Sequence, residues 1–224
     1  MVELAVKNPR RKIKEIYATK ETAEEVKIPS NVSLRLVDRK FLDSLVGQNT
    51  VHQGIVAKCD PLPVIDLKEF VRTVESKERC LLIILDQVTD PHNIGAIMRS
   101  AVAFNASAVI MPEAGAPGET GTLAKSASGA TEMIPLICVA NLARAMEMLK
   151  KADFWCVGLD GYAQTTISEY KLPKKCVLVL GAEDGIRRLT MENCDIVVKL
   201  PIDPAIESLN VSNAAAVAMY EWNR

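Results

Sequence analysis

Short, nearly continuous apolar runs recur along the last two thirds of the chain. There are six of them, at residues 80–85, 106–111, 134–139, 154–159, 176–180 and 196–200. Runs rich in Val, Ile, Leu and Cys, without polar alternation, are typical of strands buried on both faces, as in parallel sheets. Between the runs, apolar residues recur at helical spacing, first at 94, 97, 98, 101 and 102 and then at 142, 145, 146 and 149. The pattern predicts an α/β fold in which helices cover both faces of a parallel sheet.

The first sixty residues have a different character. They are polar and basic, and their apolar runs are short, at residues 13–18, 32–37 and 53–57. Pro61 and Pro63 follow, and we place a domain boundary there. The sequence therefore predicts a small domain over residues 1–62 and a larger one over residues 63–224, which ends in an alanine-rich helix.

The composition is that of an ordinary globular protein, because 49% of the 224 residues are hydrophobic and 25% are charged. No apolar run approaches the roughly 20 residues that a membrane helix needs, and the basic N-terminus lacks the apolar core of a signal peptide. Six cysteines without a CxxC pair indicate small core residues in a reducing compartment, and two histidines are too few for a histidine-rich metal site. We expect a soluble, cytoplasmic protein with no metal and no membrane partner.

The net charge of −1 does not by itself suggest a nucleic-acid partner. The charges are unevenly spread, however, because residues 1–60 hold 11 Lys and Arg against 8 Asp and Glu. Five of the basic residues lie close together: Lys7, Arg10, Arg11, Lys12 and Lys14. Such a cluster is either a solvated face or a patch that contacts phosphates, and the pattern leaves both interpretations open.

Ligands of open parallel sheets bind beyond the carboxyl ends of the strands, so the segments that follow the strands are the candidates for chemistry. After the first run, Asp90 can cap a helix and Pro91 can occupy its first turn, which also contains Asn93. Arg99 falls outside the apolar stripe, and Gly95, one turn earlier on the same side, leaves the guanidinium room to reach outward. A surface salt bridge and a functional role are both compatible with this placement of Arg99.

Two later segments are also unusual. The turn at residues 181–188 has no GxGxxG pattern, and Glu183 with Asp184 would repel a pyrophosphate, so the turn favours a ligand with a cationic centre. The segment 200–213 leads into the last helix. It carries four small polar residues, of which helix capping explains one or two: Ser208, Asn210, Ser212 and Asn213.

Together, these three segments resemble the three ordered motifs of the SpoU (TrmH) family of RNA ribose 2′-O-methyltransferases. The matching stretches are residues 90–96 with Arg99, residues 180–183 with Gly185, and residues 200–202 with 207–214. Residues 134–137, 141–146 and 187–190 are similar to the RlmB branch, which methylates a guanosine of 23S ribosomal RNA. Residues 1–62 resemble the small L30e-like RNA-binding domain of that branch without its opening strand, so we expect an N-terminally incomplete domain.

The resemblance implies an S-adenosylmethionine-dependent enzyme with the SPOUT fold, which is an α/β fold with a parallel sheet and a C-terminal trefoil knot. It also implies a homodimer in which Arg99 acts across the interface, and RNA as the partner. The catalytic group would be Asn93, Arg99, Glu183, Ser208 and Asn210. The cofactor would be bound by Leu180, Gly181, Gly185, Leu200, Ile202, Leu209 and Ser212, and RNA by Arg10, Arg11 and Lys12.

Three other functions compete with this interpretation. A transfer RNA ribose 2′-O-methyltransferase would carry the same three motifs. A non-catalytic RNA-binding dimer is favoured by the shortened motif two, in which Asp184 alone separates Glu183 from Gly185, and by the incomplete N-terminal domain. In motif three, Asp203-Pro204 replaces a glycine of the family pattern, a second departure that bears on cofactor affinity. A nicotinamide-dependent oxidoreductase would share the alternation of strands and helices, but GxGxxG is missing. We expect no DNA partner.

Overall fold

The computed structural model of the protein describes residues 1–47 and 50–224. Within them the chain divides into two compact units, Met1–Pro63 and Val64–Arg224. No helix in the described ranges combines the length and apolar character needed to span a membrane.

The first unit contains a three-stranded sheet. Its elements are α1 (Val2–Lys7), β1 (Ile13–Ala18), α2 (Lys20–Glu25), β2 (Leu34–Leu36), α3 (Arg39–Val46) and β3 (Ile55–Cys59). The central strand β1 pairs in parallel with β2 and antiparallel with β3. Thr19 caps α2 and Asp38 caps α3 through their side-chain oxygens, and Ile16 and Leu42 are completely buried between sheet and helices.

The second unit alternates strands and helices. Its elements are α4 (Leu67–Val74), β4 (Cys80–Asp86), α5 (Pro91–Ala103), β5 (Ala108–Pro112), α6 (Gly121–Ala127), β6 (Leu136–Val139), α7 (Leu142–Lys150), β7 (Trp155–Leu159), β8 (Thr165–Thr166), β9 (Lys175–Gly181), α8 (Arg188–Glu192), β10 (Ile196–Lys199) and α9 (Val211–Asn223). Each of the six apolar runs overlaps one of these strands, and the two-residue β8 lies outside all six. The strands form a seven-stranded sheet in the order β6-β5-β4-β9-β7-β10-β8, and all its neighbouring pairs are parallel. The predicted α/β fold with a parallel sheet is confirmed.

Helices cover both faces of this sheet, which explains the unbroken apolar runs. On β4, the side chains of Leu81 and Ile83 join one core with residues of α5, α6 and α9, whereas Leu82 and Ile84 join a second core with residues of α4 and α7. All of β4 is buried because it is central and covered on both sides. The two stripes at helical spacing are the buried faces of α5 and α7.

The burial of the cysteines is more varied than expected. Cys80, Cys156 and Cys176 are buried in strands of the large sheet, as predicted for core residues. Cys59 is exposed, because it ends β3 where the last two residues of that strand face solvent. For this residue the expectation of a core position is wrong.

Candidate active site at the carboxyl edge of the sheet

The three motif segments leave the large sheet at the same edge. β4 ends at Asp86, which pairs with Gly181 at the end of β9, and Leu180 pairs with Leu159 at the end of β7. β10 runs parallel to β7 and leads into the segment 200–210. Because parallel strands share one carboxyl edge, the segments after β4, β9 and β10 emerge side by side.

The first and third motifs are joined by a hydrogen bond between two amides. Asp90 caps α5 by accepting a hydrogen bond from the His92 backbone N–H, and Pro91 is the first helical residue, as predicted. Asn93, in the first turn of α5, accepts a hydrogen bond on Oδ1 from the Asn210 Nδ2 at 3.1 Å. These two predicted catalytic residues are 117 positions apart in the chain.

Asn210 is held from its other side by α9. As predicted, it is the N-cap of that helix, and its Oδ1 accepts hydrogen bonds from the Ser212 backbone N–H at 2.9 Å and from the Ser212 hydroxyl at 2.6 Å. Since Oδ1 is occupied as an acceptor, the amide orientation is fixed and Nδ2 faces Asn93 as the donor. Ser212, predicted as a cofactor residue, therefore orients Asn210.

Arg99 lies on α5 with its side chain exposed to solvent. Within the part of the chain that the structure describes, its guanidinium makes no hydrogen bond and no ion pair, so nothing in this chain supports the salt-bridge interpretation. The reason proposed for Gly95 is wrong. A Cβ at Gly95 would lie 2.5 Å from the Ser126 Cβ and 2.7 Å from the Ala127 backbone nitrogen, so the glycine is needed for close packing of α6 on α5.

The second motif forms a very tight turn. The Gly185 N–H donates to the Ala182 carbonyl at 2.9 Å, and Gly185 has a φ of +83°, in the left-handed region that glycine adopts readily. A Cβ at Gly181 would overlap the backbone carbonyl group of Gly185, so only glycine lets the chain fold back this closely. The shortened motif is thus a closed turn, with Glu183 and Asp184 exposed at its tip.

The segment after β10 is open to solvent. Residues 201–210 are all exposed, including the apolar side chains of Ile202 and Leu209, each 37% accessible. Among the described residues, the backbone N–H and C=O groups of 201–209 make one backbone hydrogen bond, from Ile206 to Asp203 at 3.1 Å. The Asp203 side chain also accepts from the Ala205 N–H at 2.8 Å, which stiffens the loop. Exposed apolar side chains beside unpaired backbone donors and acceptors fit the adenosine of S-adenosylmethionine, a flat ring with polar edges.

An ion pair that the sequence did not predict connects the first and second motif segments. Asp86 is completely buried, and its two carboxylate oxygens accept from the Arg187 backbone N–H at 3.0 Å and from Nε at 2.7 Å. Nη2 of the same guanidinium lies 2.6 Å from Oδ1. One sequence feature could have indicated this pair, namely an aspartate at the end of a buried apolar run. A buried carboxylate needs a charged partner or several hydrogen bonds.

The basic cluster of the first unit is not uniformly available to a ligand. Lys12 is exposed and Arg10 is half-buried, but Arg11 is 8% accessible and its Nη1 donates to the Asp60 carbonyl at 2.9 Å. The buried position of Arg11 does not fit the RNA contact predicted for it, because its guanidinium joins the start of β1 to the end of β3. Lys14 forms an ion pair with Asp60.

Two cysteines of the large unit, Cys156 and Cys194, have strongly raised thiol pKa values. Burial raises the pKa of Cys156 and of Cys194 to about 12, so both are protonated at neutral pH. In residues 1–47 and 50–224, no three His, Cys, Asp or Glu side chains cluster in a way that would bind a metal.

Comparisons with known proteins identify the family of the chain. Residues 80–220 match the model of the SpoU rRNA Methylase family, and residues 1–64 match the model described as RNA 2′-O ribose methyltransferase substrate binding. The chain is 42% identical over 194 residues to a protein of Xylella fastidiosa, covering 85% of this chain and 77% of that protein. It is 43% identical over 195 residues to one of Coxiella burnetii, covering 86% and 77%. Both relatives are named 23S rRNA (guanosine-2′-O-)-methyltransferase RlmB.

Solved structures share the fold. The SpoU methyltransferase AviRb from Streptomyces viridochromogenes, in complex with AdoMet, superposes with a TM-score of 0.83 at 22% identity, over 100% of this chain and 86% of that chain. An AdoMet-bound rRNA methyltransferase from Sinorhizobium meliloti gives a TM-score of 0.84 at 19% identity, over 100% and 85%. With a family model matched over most of the chain and relatives above 40% identity, the chain belongs to the SpoU rRNA methylase family of S-adenosylmethionine-dependent RNA ribose 2′-O-methyltransferases.

Proposed function

We propose that this protein transfers the methyl group of S-adenosylmethionine to the 2′-hydroxyl of a guanosine in 23S ribosomal RNA. The relatives named for that reaction support the substrate. The hydrogen bond between Asn93 and Asn210 is the main structural support for the proposed active site, because it brings together two motifs that are far apart in the chain. Loss of a 2′-O-methyl group from one 23S guanosine in a deletion strain is the expected result. If the deletion strain instead lost a 2′-O-methyl group from a transfer RNA, transfer RNA would be the substrate.

Six residues from two motifs would bind the cofactor. The turn of motif two would contact it through Leu180, Gly181 and Gly185, and the loop after β10 through Leu200, Ile202 and Leu209. The fit rests on the exposed apolar side chains of that loop and on its unpaired backbone groups. When bound, the cofactor supplies a methyl group already activated by a sulfonium. Ser212 contributes indirectly, since its hydroxyl and N–H both bind Asn210.

Arg99 would act by positioning and electrostatics. A ribose hydroxyl is a poor nucleophile at neutral pH, and a guanidinium is effectively always protonated, so Arg99 cannot serve as the base. It would hold a phosphate of the RNA beside the target ribose. As the 2′-oxygen forms its bond to the methyl carbon and the carbon–sulfur bond breaks, that phosphate or a water accepts the hydroxyl proton.

The other members of the catalytic group would orient these partners. Asn93 and Asn210 form a fixed amide pair, and Glu183 is an exposed carboxylate at the tip of the motif-two turn that is suited to pairing with Arg99. Ser208 lies in the exposed loop, and its hydroxyl would hydrogen-bond to the cofactor or the ribose.

A two-fold homodimer would complete the site, with Arg99 of one protomer acting in the partner's site. α5 and α9 pack together, and the rings of Phe104 and Tyr220 meet edge to face with centroids 6.2 Å apart. Tyr220 and Val217 are nevertheless more than 40% exposed, which leaves an apolar strip on α9 for a second copy.

The domain roles follow the matched family models. Residues 1–62 would be the L30e-like RNA-binding domain, and residues 63–224 the SPOUT methyltransferase domain with its C-terminal knot. Arg10 and Lys12 are the predicted RNA contacts that remain available in the first unit. With a ribosomal RNA substrate, the protein would act in the cytoplasm.

The test replaces Arg99 with alanine and with lysine. We expect Arg99→Ala to slow single-turnover methyl transfer on the order of a hundredfold, about 3 kcal/mol, with unchanged affinity for S-adenosylhomocysteine in calorimetry. Arg99→Lys should also lose most activity, because an ammonium lacks the planar fork that binds a phosphate through two hydrogen bonds. Arg72→Ala, an exposed arginine on α4, is the matched control. A near-normal rate for Arg99→Ala would contradict the assignment.

Mixing two inactive variants tests the shared site. In a heterodimer of Arg99→Ala and Asn210→Ala, one site would combine an intact amide pair with an intact arginine. Random assortment of two-fold dimers should therefore restore about a quarter of wild-type activity. No recovery after subunit exchange, or a monomer at micromolar concentration in light scattering, would contradict action across the interface.

A further inference from the structure

A cavity of about 450 Å³ lies at the carboxyl edge of the large sheet, beyond β4, β5 and β6. Its walls include Gln87 and Thr89 after β4, Ala114 after β5, Asn141 at the start of α7, and Arg187 and Leu189 around α8. Among the described residues that line it, none belongs to the catalytic or cofactor-binding sets above. Its volume is within the range of roughly 300–1,000 Å³ that is usual for ligand sites.

Arg187 gives the cavity a fixed positive group. Its Nε and Nη2 bind Asp86, which lies completely buried behind it, so the guanidinium cannot swing away. The side chain is 47% exposed, and Nη1 has no partner within the part of the chain that the structure describes. Arg187 is also the only charged side chain among the described residues that line the cavity. A rigid guanidinium with unused N–H groups is suited to a phosphate.

The remaining walls combine apolar surface with hydrogen-bonding groups. Leu189 is 59% exposed and lines the cavity together with Ala114 and other apolar residues. The side chains of Gln87 and Thr89 are exposed. Gln87 also has a φ of +61°, an uncommon conformation for a residue other than glycine. An apolar surface for a ring, amide and hydroxyl groups for its edges, and a guanidinium for an anion together suit an unstacked nucleotide.

We propose that this cavity binds one unstacked nucleotide of the RNA, next to the nucleotide whose ribose is methylated. Its base lies against Leu189 and its phosphate contacts Arg187. The location follows from the chain, because Thr89 immediately precedes the segment that carries Asn93, and Arg187 follows Glu183 by four residues. The proposal rests on the proposed function, since it names a second RNA contact of the same site.

The test changes the cavity without removing Arg187, whose loss would leave Asp86 buried without its cation. Ala114→Trp fills the cavity from an exposed position. Gly118→Trp is its matched control, because it lies in the same loop outside the cavity lining, and a Cβ there meets nothing within 4 Å. We expect Ala114→Trp to raise the KM for 23S RNA about tenfold with unchanged calorimetric affinity for S-adenosylhomocysteine, and Gly118→Trp to change neither quantity.

Opposite charges introduced at Leu189 test whether the cavity binds a phosphate. Leu189→Glu should weaken binding of a labelled, unstructured oligoribonucleotide in fluorescence anisotropy several-fold, whereas Leu189→Lys should leave it unchanged or tighten it. Equal effects of the two variants, or a normal KM for Ala114→Trp, would overturn the proposal. Loss of S-adenosylhomocysteine binding in Ala114→Trp would also overturn it, by assigning the cavity to the cofactor. If the wild-type protein methylates no RNA, the proposed function fails, but the anisotropy comparison still decides whether the cavity binds RNA.

Discussion

Replacement of Gly95 by alanine perturbs the contact between α5 and α6 in a way that the structure makes calculable. The added Cβ would lie 2.5 Å from the Ser126 Cβ, 2.7 Å from the Ala127 nitrogen and 2.9 Å from the Ser126 carbonyl carbon. Relaxed carbon contacts are about 3.5–4.0 Å, so the two helices must separate by roughly 1 Å. Two of the three contacted atoms are backbone, and no side-chain rotation can relieve the overlap.

Two opposing effects set the magnitude. Overpacking of a rigid contact costs about 1–3 kcal/mol, and the overlap with backbone places Gly95→Ala towards the upper end. Alanine gains roughly 1 kcal/mol over glycine in a helix interior. The net expectation is a loss of about 1–2 kcal/mol in the free energy of unfolding, or about 2–8 °C in Tm for a domain of this size.

Thermal unfolding followed by circular dichroism measures this loss, and Gly121→Ala is the matched control. Gly121 begins α6, and a Cβ there meets nothing within 4 Å, so this variant should be neutral or more stable by up to about 1 kcal/mol. If Gly95→Ala is as stable as Gly121→Ala, then Gly95 does not set the spacing of α5 and α6 and the reasoning is refuted.

Two further predictions concern arginines and a lysine. Arg187→Ala should lower the free energy of unfolding by about 3–5 kcal/mol, because it leaves a fully buried carboxylate without its cation. Arg188→Ala should cost less than about 1 kcal/mol, since Arg188 is 90% exposed and its ion pair with Glu192, at 3.7 Å, is on the surface. Comparable decreases in urea unfolding would contradict the role of the buried pair. Replacing Arg10 and Lys12 together with glutamate should weaken RNA binding and reduce its log–log salt dependence by roughly one unit for each phosphate that the protein no longer neutralises. An unchanged slope in filter binding would show that neither residue binds phosphate.

Local sequence patterns predicted six strands of the large sheet and the helices α5, α7 and α9, but not the short β8, α6 and α8. The apolar runs mark six of the seven strands of the large sheet, because strands covered on both faces, such as β4, require apolar side chains at nearly every position. Asp90 and Asn210 cap the helices expected of them, because the bond from an N-cap side chain to a nearby N–H depends only on residues within one turn. The order of the three motifs indicated the family for the same reason, since each motif is contiguous in sequence.

The strand order and the long-range contacts were decided only in the folded chain. β9 lies between β4 and β7, and no apolar run distinguishes one neighbour from another, because hydrophobic burial is non-directional. That order places Asp86 beside Arg187, whereas Asn210 meets Asn93 where α9 packs on α5, so neither pairing is visible in the sequence. The same limit applies to Arg11 and Gly95. Each had a plausible local explanation, but Arg11 is buried against a carbonyl 49 residues away, and the space beside Gly95 is filled by another helix.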